Sequence, residues 1–111
     1  MPQPFIDDDV WGRIFSLHRR STGSDNIMDY ANVRFLSLAL CGEAGELANL
    51  VKKHWRDGDV RPIGQPAMDE VADVIIYALI LYSALGGDTQ HPDGLRANIM
   101  RKLDAFERKL E

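Results

Sequence analysis

Apolar positions recur at helical spacing through four stretches of the chain, and segments rich in Gly, Pro, Asp and Ser separate these stretches. Residues three and four positions apart share one face of an α-helix. The pattern predicts an all-α fold with helices over about residues 8–20, 31–55, 66–85 and 93–110. Acids at residues 7–9 favour the start of the first helix, and Gly86-Gly87 favours the end of the third.

The third predicted helix is apolar almost all the way round from Val71 to Leu85. A helix of that kind is expected to be largely buried, yet this run is shorter than the ~20 apolar residues that span a bilayer. A chain of 111 residues forms one domain, residues 1–111, with a small core. We therefore expect partner subunits to cover this helix, and no membrane partner.

Two pairs of acids interrupt these apolar stretches, Glu43 with Glu46 and Glu70 with Asp73. Each pair has the i, i+3 spacing that places both side chains on one helix face, here the face expected to be buried. Four carboxylates facing one another repel unless protons or cations neutralise them. A single pair is typical of a solvated helix face, whereas two such pairs favour a site for Mg2+, with Mn2+ as the other candidate.

The residues around the acids resemble a known family. Residues 38–48 read LALCGEAGELA and residues 69–77 read DEVADVIIY, with 23 residues between Glu46 and Glu70. These segments resemble the MazG-type all-α nucleoside triphosphate pyrophosphohydrolases, in particular the short dCTP-pyrophosphatase branch, and the similarity covers about residues 10–108. The resemblance implies a four-helix bundle completed by oligomerisation, as a dimer or a pair of dimers, with Mg2+ held by the four acids.

The resemblance also implies an activity. It is Mg2+-dependent hydrolysis of (deoxy)nucleoside triphosphates between the α- and β-phosphates, giving a nucleoside monophosphate and pyrophosphate, as house-cleaning of the nucleotide pool. Either Glu43 or Glu46 would orient the attacking water. Two alternatives stay open: an enzyme like phosphoribosyl-ATP pyrophosphohydrolase, and a non-catalytic module that binds metal or nucleotide.

Candidate substrate-binding residues lie outside the acid pairs. His18 is either a core histidine or a contact to the base or sugar, and relatives have a histidine at this offset. Tyr77, four residues after Asp73, is either a buried tyrosine or a wall of the sugar pocket that disfavours ribose. Trp55 is either a packing residue or a base contact.

Two lysines are candidates for holding phosphates. Lys53 follows Glu46 by two helical turns, although a lysine there also complements the helix dipole. Lys102 matches a lysine that relatives place four residues before an asparagine; here Phe106 stands at that position, and Asn98 is the candidate substitute.

Composition narrows the partners and the compartment. The net charge is −4 with acids and bases mixed, which argues against a nucleic-acid partner, since such proteins carry a basic face. The single cysteine, Cys41, excludes a disulfide within the chain and favours a reduced, cytoplasmic setting. The first residues lack the basic start and apolar core of a signal peptide.

Overall fold

The computed structural model of the chain describes residues 7–22, 30–58, 60–87 and 92–111. Regular structure in these ranges consists of α1 (Asp8–Thr22), α2 (Tyr30–Arg56), α3 (Gln65–Ala84) and α4 (Pro92–Lys109), without a strand. The all-α class and the four helices are confirmed, and every predicted end lies within two residues of the observed one. The polar segment 21–29 predicts a loop after the first helix; α1 extends to Thr22, and residues 23–29 lie outside the described residues, as does His91.

Local chemistry explains where α1 and α3 begin. The backbone N–H of Val10 donates a 3.0 Å hydrogen bond to Asp7 Oδ1, so Asp7 caps α1. Gly64 precedes α3 with φ 79°, a conformation that glycine adopts without a steric penalty. Pro66 then occupies the first turn of α3, where no backbone N–H is needed.

The core lies where α1, α2 and α3 meet. The α2 and α3 helices run antiparallel and pack along much of their length, and α1 packs against α3. Leu36 of α2 is completely buried. The other buried apolar side chains come from α1 and α3: Trp11, Ile14, Leu79, Ile80 and Ala84.

The burial of α3 is uneven in the single chain, and its coverage by partner subunits stays a prediction. Its C-terminal half is buried, whereas Met68, Val71 and Ile75 in the N-terminal half are exposed. Leu17, an apolar residue at helical spacing from Val10 and Ile14 on α1, is also half exposed. The reason is the length of the chain, because a domain this small cannot cover every face of an apolar helix.

The fourth helix contacts the rest of the fold near its N-terminal end. Leu95 packs against the core, and Asn98 Nδ2 donates a 3.3 Å hydrogen bond to the Tyr82 hydroxyl. Further along α4, the apolar residues at helical spacing are exposed: Ile99, Leu103, Phe106 and Leu110. Gly87 lies against Tyr82, and a Cβ at this glycine would overlap the tyrosine ring.

None of the helices in the described part of the chain combines the length and the apolar character needed to cross a membrane.

Candidate metal centre and its adjoining cavity

Three carboxylates from two helices meet at one point. Glu43 and Glu46 lie one turn apart on α2, and Glu70 lies opposite on α3. One oxygen from each of the three lies within 4.8 Å of the others. The antiparallel packing of α2 and α3 produces this cluster, because it places the start of α3 beside the middle of α2.

Two oxygens of this cluster, Glu43 Oε2 and Glu70 Oε2, are buried and have no hydrogen-bond partner among the residues that the structure describes. Both side chains are half-buried, whereas Glu46 is exposed. A buried polar atom in a folded protein normally has a partner, and leaving a carboxylate oxygen without one is unfavourable. These two atoms are therefore positioned to take either a proton or a cation.

The electrostatics of the cluster favour the same conclusion. Desolvation raises the pKa of Glu43 above its ordinary value, and the negative charges of Glu46 and Asp73 raise it further. Desolvation likewise raises the pKa of Glu70, followed by the charges of Glu46 and Asp73. Carboxylates that raise one another's pKa are stabilised when a divalent cation binds among them. The all-oxygen ligand set fits a hard cation such as Mg2+ or Mn2+.

A cavity of about 250 Å3 adjoins the cluster. Glu43 and Asp73 contribute its carboxylates, and Glu43 belongs to both the cavity lining and the cluster. Asp73 lies on the lining and is not one of the three clustered acids. The remaining lining is apolar or aromatic: Leu17, Phe35, Leu36, Ile76, Tyr77 and Ile80. This arrangement places an acidic end, which could hold a cation, beside an apolar compartment of about the size of an organic ring system.

Among the described residues, the structure brings one of the predicted substrate-binding side chains to this cavity. Tyr77 lines it, together with Asp73. Lys53 and Trp55 are exposed near the C-terminal end of α2, and neither belongs to the described lining. The side chain of His18 lies outside the described part of the chain.

Two further candidates lie elsewhere in the single chain. Asn98 and Lys102 line a separate cavity of about 240 Å3 on α4, together with Ile99, Leu103 and Phe106. The Lys102 ammonium lies 5.3 Å from the centre of the Phe106 ring, in the range of a cation–π contact. A role for Lys102 in holding phosphates stays a prediction.

The sequence analysis did not single out Phe35 as a site residue, although its spacing from Glu43 could have indicated it. Phe35 lies eight positions before Glu43, close to two turns along α2, so the two side chains point to neighbouring sides of the helix. Its ring lines the cavity and is 51% exposed.

No protein-family model matches this chain, and comparison with curated proteins and with solved structures finds no significant match either. The chemistry of the site rests on its own residues.

Proposed function

We propose that this chain is a Mg2+-dependent pyrophosphohydrolase of the MazG type. It would hydrolyse (deoxy)nucleoside triphosphates between the α- and β-phosphates, in house-cleaning of the nucleotide pool. One observation carries the proposal: the cluster of Glu43, Glu46 and Glu70, with two buried oxygens that have no partner among the described residues, adjoins a cavity lined by apolar and aromatic side chains. A nucleotide has the matching halves, a polyphosphate that binds cations and a flat ring that prefers apolar contact.

The four acids would bind the cation, and one of them would also orient water. Glu43, Glu46 and Glu70 would hold the cation, and Asp73 would extend the ligand set towards the cavity. A cation bound there would neutralise phosphate charge and lower the pKa of a bound water. Glu46 is exposed, so solvent reaches its carboxylate. We assign to Glu46 the orientation of the attacking water.

The reaction balances without another reactant. The water oxygen forms a bond to the α-phosphorus, and the bond from that phosphorus to the bridging oxygen breaks. The water contributes OH to the monophosphate and its other hydrogen to the solvent or to pyrophosphate. Tyr77 would contact the sugar, and Lys53 would hold the leaving pyrophosphate as a point charge.

The same proposal includes the association of this chain into an oligomer. Apolar side chains are exposed on α3 at Met68, Val71 and Ile75 and on α4 at Leu103 and Phe106. The radius of gyration is 16.4 Å, above the roughly 13 Å expected for a compact domain of about 100 residues. A dimer or tetramer would cover these faces. It would also allow Lys102 of one chain to reach substrate bound by another.

A product assay tests the proposed function. The protein is incubated with each common dNTP in excess Mg2+ and, separately, in EDTA, and the products are separated by anion-exchange chromatography. We expect dNMP and pyrophosphate in Mg2+ and neither in EDTA. Formation of dNDP and orthophosphate would contradict the site of cleavage. Nucleotide binding without turnover would favour the non-catalytic module, and turnover of phosphoribosyl-ATP alone would favour the other enzyme class.

A further inference from the structure

The cavity beside the carboxylate cluster has two different ends. Along α2, Phe35 lies eight residues before Glu43, which corresponds to about 12 Å of helix rise. Along α3, Ile80 lies seven residues after Asp73, about 10 Å further on. Because the two helices are antiparallel, the carboxylates mark one end of the cavity, and Leu36 and Ile80 mark the other.

The size of the cavity limits what it can enclose. Pockets that enclose a whole small ligand usually measure about 300–1,000 Å3, and this one measures about 250 Å3. A cavity of this size could take the ring part of a nucleotide, and under the proposed function the phosphates would lie outside it, at the cation held by Glu46 and Glu70. The ring would then lie towards the end that carries Phe35.

Few groups in the cavity can read the edge of a base. Among the described lining residues, hydrogen-bonding side chains are limited to Glu43, Asp73 and Tyr77. Both carboxylates are at the end of the cavity next to the carboxylate cluster. The far end offers aliphatic side chains and the Phe35 ring. Aromatic rings stack on any base because every base has a π-face.

We propose that Phe35 is a specificity-determining residue of this enzyme, and that the nucleobase packs on its ring. This role rests on the proposed function. It implies that the cavity has a part for the sugar and a part for the base. Tyr77 limits the space at the sugar, and Phe35 supplies the aromatic surface for the base. The half-exposed ring of Phe35 gains burial when the base binds, and this burial favours ligands that carry a base over bare polyphosphates.

Equilibrium binding separates this role from a structural one. Isothermal titration calorimetry in Mg2+ measures the affinity for two probes, the non-hydrolysable α,β-imido analogue of dCTP and inorganic tripolyphosphate, which has no base. Phe35→Ala should weaken nucleotide binding about tenfold or more, the range of a lost stacking contact. Its affinity for tripolyphosphate should equal that of the native protein.

Two further variants bracket the result. Phe35→Trp keeps an aromatic face and should retain most of the nucleotide affinity, whereas Phe35→Leu keeps apolar bulk and should lose it. Leu85→Ala is the matched control, because Leu85 is an exposed apolar residue outside the cavity lining and should leave both affinities unchanged. In turnover assays Phe35→Ala should raise KM with kcat near the native value.

Each contrary outcome has a distinct meaning. An equal loss of affinity for nucleotide and tripolyphosphate would show that Phe35 acts through the fold or the cation site, and would overturn the proposal. Native affinity in Phe35→Ala, with hydrolysis intact in the native protein, would overturn the role of Phe35 alone. A native protein that neither binds nor hydrolyses nucleotides would overturn the proposed function, and this role with it. If Phe35→Ala does not fold, as judged by circular dichroism, Phe35→Leu against Phe35→Trp decides the question.

Discussion

A carboxylate oxygen of Glu43 on α2 lies within 4.8 Å of one of Glu70 on α3, and each residue has a buried Oε2 without a partner in the described part of the chain. Two like charges at this separation repel each other, and burial strengthens the repulsion. The metal-free protein therefore retains an unfavourable contact at this point. A cation or a proton relieves it.

Replacing Glu70 by Gln tests whether this contact belongs to an active site. Glu70→Gln keeps the shape of the side chain but removes one charge. We expect the rate of hydrolysis to fall by about 100-fold or more. This exceeds the loss usually seen when a residue that only orients a metal ligand is replaced. The Tm in EDTA should be equal to the native value or higher. Mg2+ stabilises the native protein by mass action, about 2.7 kcal/mol at 100 times Kd, and should stabilise the variant less.

Glu107→Gln is the matched control, since Glu107 is an exposed acid on α4 away from the cluster. Melting curves and turnover are measured for all three proteins in EDTA and in excess Mg2+. If Glu70→Gln behaves like Glu107→Gln, with native turnover and a native Mg2+ shift, the cluster is not the active site.

The raised pKa of Glu70 predicts how stability depends on pH. The folded-state pKa lies above the ordinary value of 4.5, so the folded protein holds this proton more tightly than the unfolded chain. The resulting stabilisation is fully present below pH 4.5 and is lost as the pH rises through the raised pKa. In EDTA, the Tm of the native protein minus that of Glu70→Gln should therefore fall over this pH range. A difference that rises with pH would contradict the assignment.

Mg2+ binding should show the opposite pH dependence. Protons and cations compete for the same oxygens, so Mg2+ affinity should decrease as the pH falls into the range where Glu43 and Glu70 take up protons. Calorimetric titration with Mg2+ at several pH values measures this. An affinity that does not change with pH would argue that other groups bind the ion.

Tyr77 is predicted to disfavour ribose. Its ring lines the cavity beside Asp73, where a 2′-hydroxyl would need space. We expect kcat/KM for dCTP to exceed that for CTP by about tenfold or more, the range that steric contacts in a pocket provide. Tyr77→Ala should reduce this ratio, and Tyr77→Phe, which keeps the ring, should preserve it. Equal kcat/KM for the two substrates in the native protein would refute the role.

The exposed apolar stripe of α3 predicts self-association. Sedimentation equilibrium should give a mass of twice or four times the 12.5 kDa of one chain. Ile75→Glu places a charge among the exposed apolar residues of α3 and should lower this mass, because a charge buried without a partner in an interface is unfavourable. Ala97→Glu makes the same kind of change at an exposed position on the polar side of α4 and should not. A native protein that sediments at 12.5 kDa would exclude the oligomer.

Gly87, just after α3, and Gly12, inside α1, offer a paired test of local packing. A Cβ at Gly87 would overlap the Tyr82 ring, so Gly87→Ala should destabilise the fold by about 1–3 kcal/mol. Gly12 lies inside α1 with open space around it, so Gly12→Ala should stabilise the fold by about 0.5–1 kcal/mol. Urea denaturation measures both, and equal effects of the two substitutions would contradict the close contact with Tyr82.

Several features of this protein could be predicted from the sequence because they depend on residues that are close along the chain. The helices follow from apolar spacing, and the cap of α1 follows from Asp7 beside its first turn. The pairing of Glu43 with Glu46, and of Glu70 with Asp73, follows from the rise and rotation of one helix. These are properties of a single helix, and no contact between helices is needed to establish them.

The tertiary structure decided which groups meet. The register of α2 against α3 brings Glu43, Glu46 and Glu70 together, directs Asp73 to the cavity and adds Phe35 to its lining. It also leaves Lys102 at a different cavity, and leaves the outer face of α3 exposed. Helical periodicity defines which face of a helix carries a residue, but the neighbour of that face depends on long-range packing, because side chains far apart in sequence must fill the same space.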